Sequence, residues 1–191
     1  RYVFSDRFEF RIDTAFVEVL EGCADPRRFG KTWITPNLKA GLLRLWEMGY
    51  AHSWEAWCEG RLAAGLFGLQ MGGWVCMSSM FHRVSHAAKA ALGRGLLHMR
   101  ERGFTLVDWG MVPQHSVNYG VTWWPRWKYE AALPVLLRQR LTLTDERPTP
   151  PVPWPIRIGV PLVKLARGIR RRTIGDVASN QHAQSHSPLA E

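Results

Sequence analysis

AHSWEAWCEGRLAAGLFGLQMGGWVCMSSMF, residues 51–81, decides the fold. Apolar and β-favouring residues run from 51 to 58, from 61 to 69 and from 74 to 81, broken at Glu59-Gly60 and at Gly72-Gly73. Short runs separated by tight Gly-containing breaks read as an antiparallel meander of three strands. Working outward, residues 85–102 have helical spacing, with Ala87, Ala91, Leu92, Leu96 and Met99 on one face. Residues 104–109 (FTLVDW) then form a short buried strand. A strand reached through one helix is parallel to the strand before it, by a right-handed crossover. The expected architecture is α/β, with a mostly antiparallel mixed sheet.

Towards the N-terminus, RYVFSDRFEFRI (1–12) alternates aromatic and polar residues and reads as a strand. Asp13 or Thr14 can cap a short helix through Leu20, closed near Gly22. A charged loop occupies 24–32. Thr35-Pro36 opens a second helix, with Leu38, Leu42, Leu45 and Trp46 as its stripe and Gly49 as its stop. Towards the C-terminus, 114–120 resembles a helical turn and 121–129 another strand or an extended segment. The stretch 147–155 (RPTPPVPWP) is a proline-rich connector and 161–172 (PLVKLARGIRRR) a basic amphipathic helix. The expected division is an N-terminal extension (1–32), a central domain (33–143), a connector with basic helix (144–174) and a polar, disordered tail (175–191).

The chain has 191 residues, of which 46% are hydrophobic and 21% charged, with ten tryptophans. That excludes a disordered, collagen-like or disulfide-stapled chain. No apolar run approaches the ~18–20 residues that span a bilayer, and no secretory signal is visible. Cys23, Cys58 and Cys76 are odd in number and lack CxxC spacing, which suits reduced thiols in the cytoplasm. The net charge of +9 favours a polyanionic partner. No Ser–His–acid triad, P-loop or GxGxxG is present. His82 and His86 have i,i+4 spacing near Cys76, but no further ligand completes a metal site, so none is expected.

The series TWIT, AHSWEAW, GLFG, SSMF, AAKAAL, GFTLVD, then His115, Gly120 and PRWKY, resembles the bacterial leucyl/phenylalanyl-tRNA–protein transferases. The resemblance covers roughly 9–135. It implies an acetyltransferase-like (Gcn5-related) fold working without coenzyme A. It also implies transfer of an aminoacyl group from charged tRNA to an amine, with no cofactor beyond that donor. Asp108 is the carboxylate that would orient or deprotonate the amine; a cap or a salt bridge to an arginine is the simpler role. His115 matches a family histidine that is either a base or a loop brace. Trp33 matches a tryptophan near the tRNA 3′ adenosine, although a core role serves as well. Leu66, Met80, Leu92, Gly95, Met99 and Val107 match the apolar acyl pocket, where core packing explains most of them. Gly95 replaces a bulky aromatic and leaves room.

Four polar family positions are changed. Ser78 stands for Glu, Gly110 for the Gln contacting the amine, Leu42 for Tyr and Pro113 for Asn. Ser78 and Gly110 remain candidate site positions. Arg83, Lys89, Arg94, Arg126, Arg170, Arg171 and Arg172 stand out among the basic residues as candidate tRNA contacts; the last three could instead lie on an anionic membrane. The residues before the long helix, HRVSH, lack the glycine-rich pyrophosphate loop of coenzyme A-binding relatives. The expected function is aminoacyl transfer from aminoacyl-tRNA to a peptide, protein or small-molecule amine. The alternatives are a non-catalytic tRNA-binding protein and, behind it, a coenzyme A-dependent N-acyltransferase.

Overall fold

The computed structural model describes residue 3 and residues 6–28, 30–110, 119–147 and 150–151. The chain divides into two compact units, Arg1–Ile156 and Arg157–Glu191, and every described residue lies in the first. Its elements are β1 (Glu9–Ile12), α1 (Phe16–Ala24), α2 (Pro36–Glu47), β2 (Ala51–Cys58), β3 (Arg61–Met71), β4 (Trp74–His82), α3 (Ala87–Glu101), β5 (Leu106–Asp108) and α4 (Arg126–Leu137). The sheet order is β1-β2-β3-β4-β5. All pairs are antiparallel except β4 with β5, which is parallel. The meander, the α3 crossover and the parallel final strand are those expected from 51–109.

Local chemistry explains the corners. Glu59 and Gly60 both have positive φ (51° and 71°), as a two-residue hairpin of right-handed twist requires. Thr35 caps α2, its hydroxyl accepting from the Leu38 amide at 3.3 Å. Ser78 is a bulged residue: Phe67 pairs with Ser79 and Gly68 with Met77, leaving Ser78 unopposed. The bulge brings β4 so close that a Cβ on Gly68 would lie 2.3 Å from the Cys76 carbonyl oxygen.

Each face of the sheet carries its own core. On one, α3 packs Ala87, Ala91, Leu92 and Met99 against Trp54, Leu66, Val75 and Met77. On the other, Phe16, Val19 and Leu20 of α1 and Leu42 of α2 pack against Phe67 and Phe81. Gly22 sits inside α1, where a Cβ would meet the Phe81 ring at 2.7 Å, so it marks close packing and not the helix end.

The β1–α1 corner departs from expectation. Strand structure is confined to Glu9–Ile12, and neither Asp13 nor Thr14 caps α1. Asp13 adopts a positive φ of 57° and accepts from the Ser53 amide at 2.8 Å, with His52 Nδ1 2.7 Å from its other oxygen. Thr14 turns to Glu55. The fully buried Glu55 carboxylate accepts from five donors: the Thr14 and Ala15 amides, the Thr14 and Ser53 hydroxyls and the Trp57 indole. The AHSWEAW residues with polar side chains therefore bind β1 and α1 to the sheet.

The segment 121–129 is also corrected: only 121–125 is irregular, and α4 begins at Arg126. Past α4 the chain returns over the end of the sheet. Leu141 and Leu143 join the α3 core, and the Leu141 carbonyl accepts from Gln70 Nε2 at 2.7 Å.

Candidate active site

β5 stops at Asp108, beside Cys76, while β4 runs on to His82. Among the described residues no strand covers β4 on that side beyond Cys76. Asp108 thus stands where the sheet opens, at the carboxyl end of its parallel strand, the place where open sheets gather ligands. Its Oδ1 accepts the Gly110 amide at 2.7 Å. Its Oδ2 accepts the Tyr129 hydroxyl, also at 2.7 Å. Tyr129 Oη in turn accepts from Trp74 Nε1 at 2.8 Å. Asp108 forms no ion pair among the described residues, so the arginine salt bridge does not exist there.

Tyr129 comes from the first turn of α4, so α4 fixes the carboxylate. Burial, and then its bond to Asp108, raise the pKa of the Tyr129 hydroxyl, which remains a proton donor at neutral pH. The Cys76 thiol is pushed up to about 11, first by burial and then by the Asp108 charge, while a hydrogen bond with Ser78 pulls the other way. It is a neutral thiol at physiological pH, not a nucleophile. Asp108 keeps unused lone pairs on both oxygens, since a carboxylate offers about four acceptor positions.

A cleft of about 570 Å³ opens onto this carboxylate, with Val107, Asp108, Gly110 and Arg126 among its lining residues. Tyr119, Trp123, Trp124 and Tyr129 supply aromatic walls, and Trp109 stacks on Tyr119 at 6.5 Å between ring centroids. Gly110 has φ 68°, and a Cβ there would meet nothing within 4 Å, so space is free but an ordinary side chain would be strained. Ser78 does not line the cleft; its hydroxyl faces Cys76.

The other expected site residues are dispersed. Leu66, Met80, Leu92, Met99 and Val107 meet in the α3 core. Gly95 belongs with them, but the space beside it is taken: a Cβ there would lie 2.9 Å from Trp54 Cδ1. Trp33 stands on the opposite face, 57% exposed, its ring 6.4 Å from that of Phe67. Leu42 is buried in the core of that same face. Arg83 and Lys89 are not buried, Arg83 donating to the Leu62 carbonyl at 3.2 Å, and Arg94 donates to the Val3 carbonyl at 2.7 Å. Arg126 pairs with Glu130 at 2.7 Å on an exposed helix turn. Pro113, His115, Arg170, Arg171 and Arg172 lie outside the described residues. No group of three or more His, Cys, Asp or Glu among the described residues is placed to hold a metal, and no described helix is long and apolar enough to cross a membrane.

Sequence reasoning missed Tyr129 as the partner of Asp108 and Trp74 as the donor to Tyr129. The available signal was the tyrosine ending PRWKY, which has no polar role unless 126–137 is helical.

A mixed sheet with a bulged fourth strand, opening past a short parallel fifth strand that ends in a tethered carboxylate, defines an acetyltransferase-like α/β domain. Within that class, the chain belongs to the leucyl/phenylalanyl-tRNA protein transferase family, whose model matches residues 1–134. The leucyl/phenylalanyl-tRNA–protein transferase of Azoarcus sp. (strain BH72) is 47% identical over 115 residues, 60% of this chain and 49% of that protein. The protein of the same name from Aromatoleum aromaticum is 43% identical over 128 residues, 66% of this chain and 54% of that one. That of Nitratidesulfovibrio vulgaris (strain DP4) is 40% identical over 160 residues, 81% and 67%. The chain spans about half the length of the first two. Among solved structures, a predicted acetyltransferase from Clostridium acetobutylicum, determined with acetyl-CoA, gives a TM-score of 0.48 at 12% identity, covering 63% of this chain and 93% of that one.

Proposed function

We propose that the protein transfers an aminoacyl group from an aminoacyl-tRNA to an amine, with Asp108 as the residue that receives the amine. The observation that carries this reading is the Asp108 carboxylate: it faces the cleft, is fixed by the Gly110 amide and the Tyr129 hydroxyl, and retains acceptor positions. In the reaction the amine nitrogen bonds to the ester carbonyl carbon and the bond from that carbon to the tRNA ribose oxygen breaks. The amine loses a proton and the departing oxygen gains one, so the exchange balances without a cofactor. Asp108 can hold the amine through its free lone pairs and take that proton. Tyr129, kept protonated, holds the carboxylate in place.

The site departs at three described positions from the one the resemblance implies, and the acceptor is a peptide, protein or small-molecule amine. Gly110 offers no side-chain amide, Ser78 turns to Cys76, and Leu42 is core. Losing a catalytically placed hydrogen bond costs ~10²–10³ in rate. Transfer of Leu or Phe to a peptide beginning with Arg or Lys is therefore expected near background. The test is a screen of the twenty charged tRNAs for enzyme-dependent discharge, followed by mass spectrometry of candidate amines. Discharge with a mass-shifted amine is the expected result. tRNA binding without discharge would favour the reading as a non-catalytic tRNA-binding protein. Rates on Leu- and Phe-tRNA equal to those of a family member such as the Azoarcus protein would restore the standard activity. Ser78→Glu with Gly110→Gln recovers little, because Gln at 110 must bear a left-handed backbone.

A further inference from the structure

Three tryptophans at the start of α4 are left unexplained by the core. Trp123 is 77% exposed, Trp127 71% and Trp124 39%. Trp123 and Trp124 border the Asp108 cleft, and Trp127 lies on the first turn of the helix that carries Tyr129. Indole rings left in water are a cost unless a partner covers them. Their neighbours are cationic. Lys128 Nζ sits 3.9 Å over the Trp124 ring, and Arg126, its side chain 90% exposed, falls between Trp124 and Trp127 in sequence. Flat aromatic faces interleaved with cations match a chain of unpaired nucleotides, whose bases stack and whose phosphates need positive charge. Charge complementarity argues for RNA over an apolar protein groove: Lys128 sits over the Trp124 ring, Arg126 stays 90% exposed although it pairs with Glu130, and the chain carries +9.

We propose that Trp123 and Trp127 form a base-stacking platform for the unpaired 3′ nucleotides of an RNA, flanked by Lys128 and Arg126. Resting on the aminoacyl-tRNA reading, the platform would steer that single strand towards Asp108. It is separate from Trp33, which stands against Phe67 on the other side of the sheet.

The experiment compares binding of an uncharged tRNA with an intact 3′ end and the same tRNA trimmed of its unpaired 3′ nucleotides, using the full chain. Trp123→Ala with Trp127→Ala should weaken binding of the intact tRNA by roughly 10- to 100-fold and leave the trimmed tRNA unchanged. Trp127→Phe should retain most of the affinity, since a smaller ring still stacks. The tryptophan loss should persist at high salt, whereas Lys128→Ala should chiefly flatten the salt dependence. Thermal unfolding should be unaltered, because the rings are exposed. Equal losses for both tRNAs, or none, would overturn the platform. So would weaker binding of the double variant to anionic lipid vesicles with tRNA binding intact, which would make the patch a membrane contact. Discriminating tRNA binding with no aminoacyl transfer would leave the platform standing and refute the reading it rests on. Transfer at wild-type rate with undiminished tRNA affinity in the double variant would do the reverse.

Discussion

Glu55 and Asp108 are both carboxylates on strands of one sheet, and their surroundings are opposite. Glu55 is fully buried, and its five donors come from β1–α1 and from its own strand. Nothing is left for it to bind. Asp108 stands at a strand end with two donors and a cleft before it. The difference separates scaffold from site by a countable property: whether a charged group's hydrogen-bonding capacity is used up within the fold. It also accounts for which family residues persist. Within AHSWEAW the Ser53 hydroxyl and the Trp57 indole both give their protons to Glu55, and His52 is held by Asp13, so removing Glu55 or Asp13 strands its partners. Gly110 contributes only its backbone amide to Asp108, and among the described residues the Ser78 hydroxyl bonds only the Cys76 thiol, so neither side chain ties elements of the sheet together.

The largest effect expected from this contrast is on stability. Glu55→Ala would leave the Thr14 and Ala15 amides, the Ser53 hydroxyl and the Trp57 indole without their acceptor. Denaturant unfolding should show a loss of roughly 3–5 kcal/mol, with activity per folded molecule unchanged. A loss below about 1 kcal/mol would mean water replaces the carboxylate and the corner is not closed.

Alkaline pH probes both sides of the sheet through two thiols. Cys23 in the α1 core and Cys76 beside Asp108 are each pushed up to about 11. A raised folded-state pKa means the folded protein holds its proton longer than the unfolded chain. That stability is fully present below pH about 9 and is lost as pH rises through about 11. Per thiol it is at most about 2–3 kcal/mol, and less for the partly exposed Cys76. Asp108→Asn should shift the alkylation profile of Cys76 to lower pH and leave that of Cys23 in place. An unmoved Cys76 profile would show that the Asp108 charge does not reach that thiol.

Tyr129→Phe removes one of the two bonds that fix Asp108. A fall of about tenfold in transfer rate, with less than about 1 kcal/mol lost in stability, is expected. An unchanged rate would show that the Gly110 amide alone positions the carboxylate.

The smallest effect concerns Gly95. Alanine there gains about 1 kcal/mol of helix propensity but drives a methyl to 2.9 Å from Trp54, and overpacking costs about 1–3 kcal/mol. A net loss of roughly 1 kcal/mol should appear in unfolding, and Trp54→Leu should abolish it. A net gain would show that the space is open after all.

Much of this was legible in the sequence because it is local. The two hairpin breaks, the Thr35 cap and the α3 stripe each lie within one element, and the crossover rule makes β5 parallel. Asp108 was legible as the last residue of a buried strand. What stayed hidden depends on partners distant along the chain. Asp13 reads as a helix cap, yet His52 and Ser53 draw it into the sheet. Gly95 reads as vacant room until Trp54, from another element, fills it. The α4 helix reads as extended because Pro125 and four aromatic residues crowd 123–129, and without that helix Tyr129 has no route to Asp108.

The central claim is that Asp108 serves the substrate and Glu55 the fold. The most direct test is Asp108→Asn, with single-turnover transfer and thermal unfolding measured on one sample. The amide retains an oxygen for the Gly110 amide but loses the charge that holds and deprotonates an amine. The expected result is a transfer rate lower by roughly 10²-fold or more, with tRNA affinity and Tm close to those of the parent. A lowered Tm with full activity in the molecules that remain folded would contradict the claim and make Asp108 a second structural carboxylate.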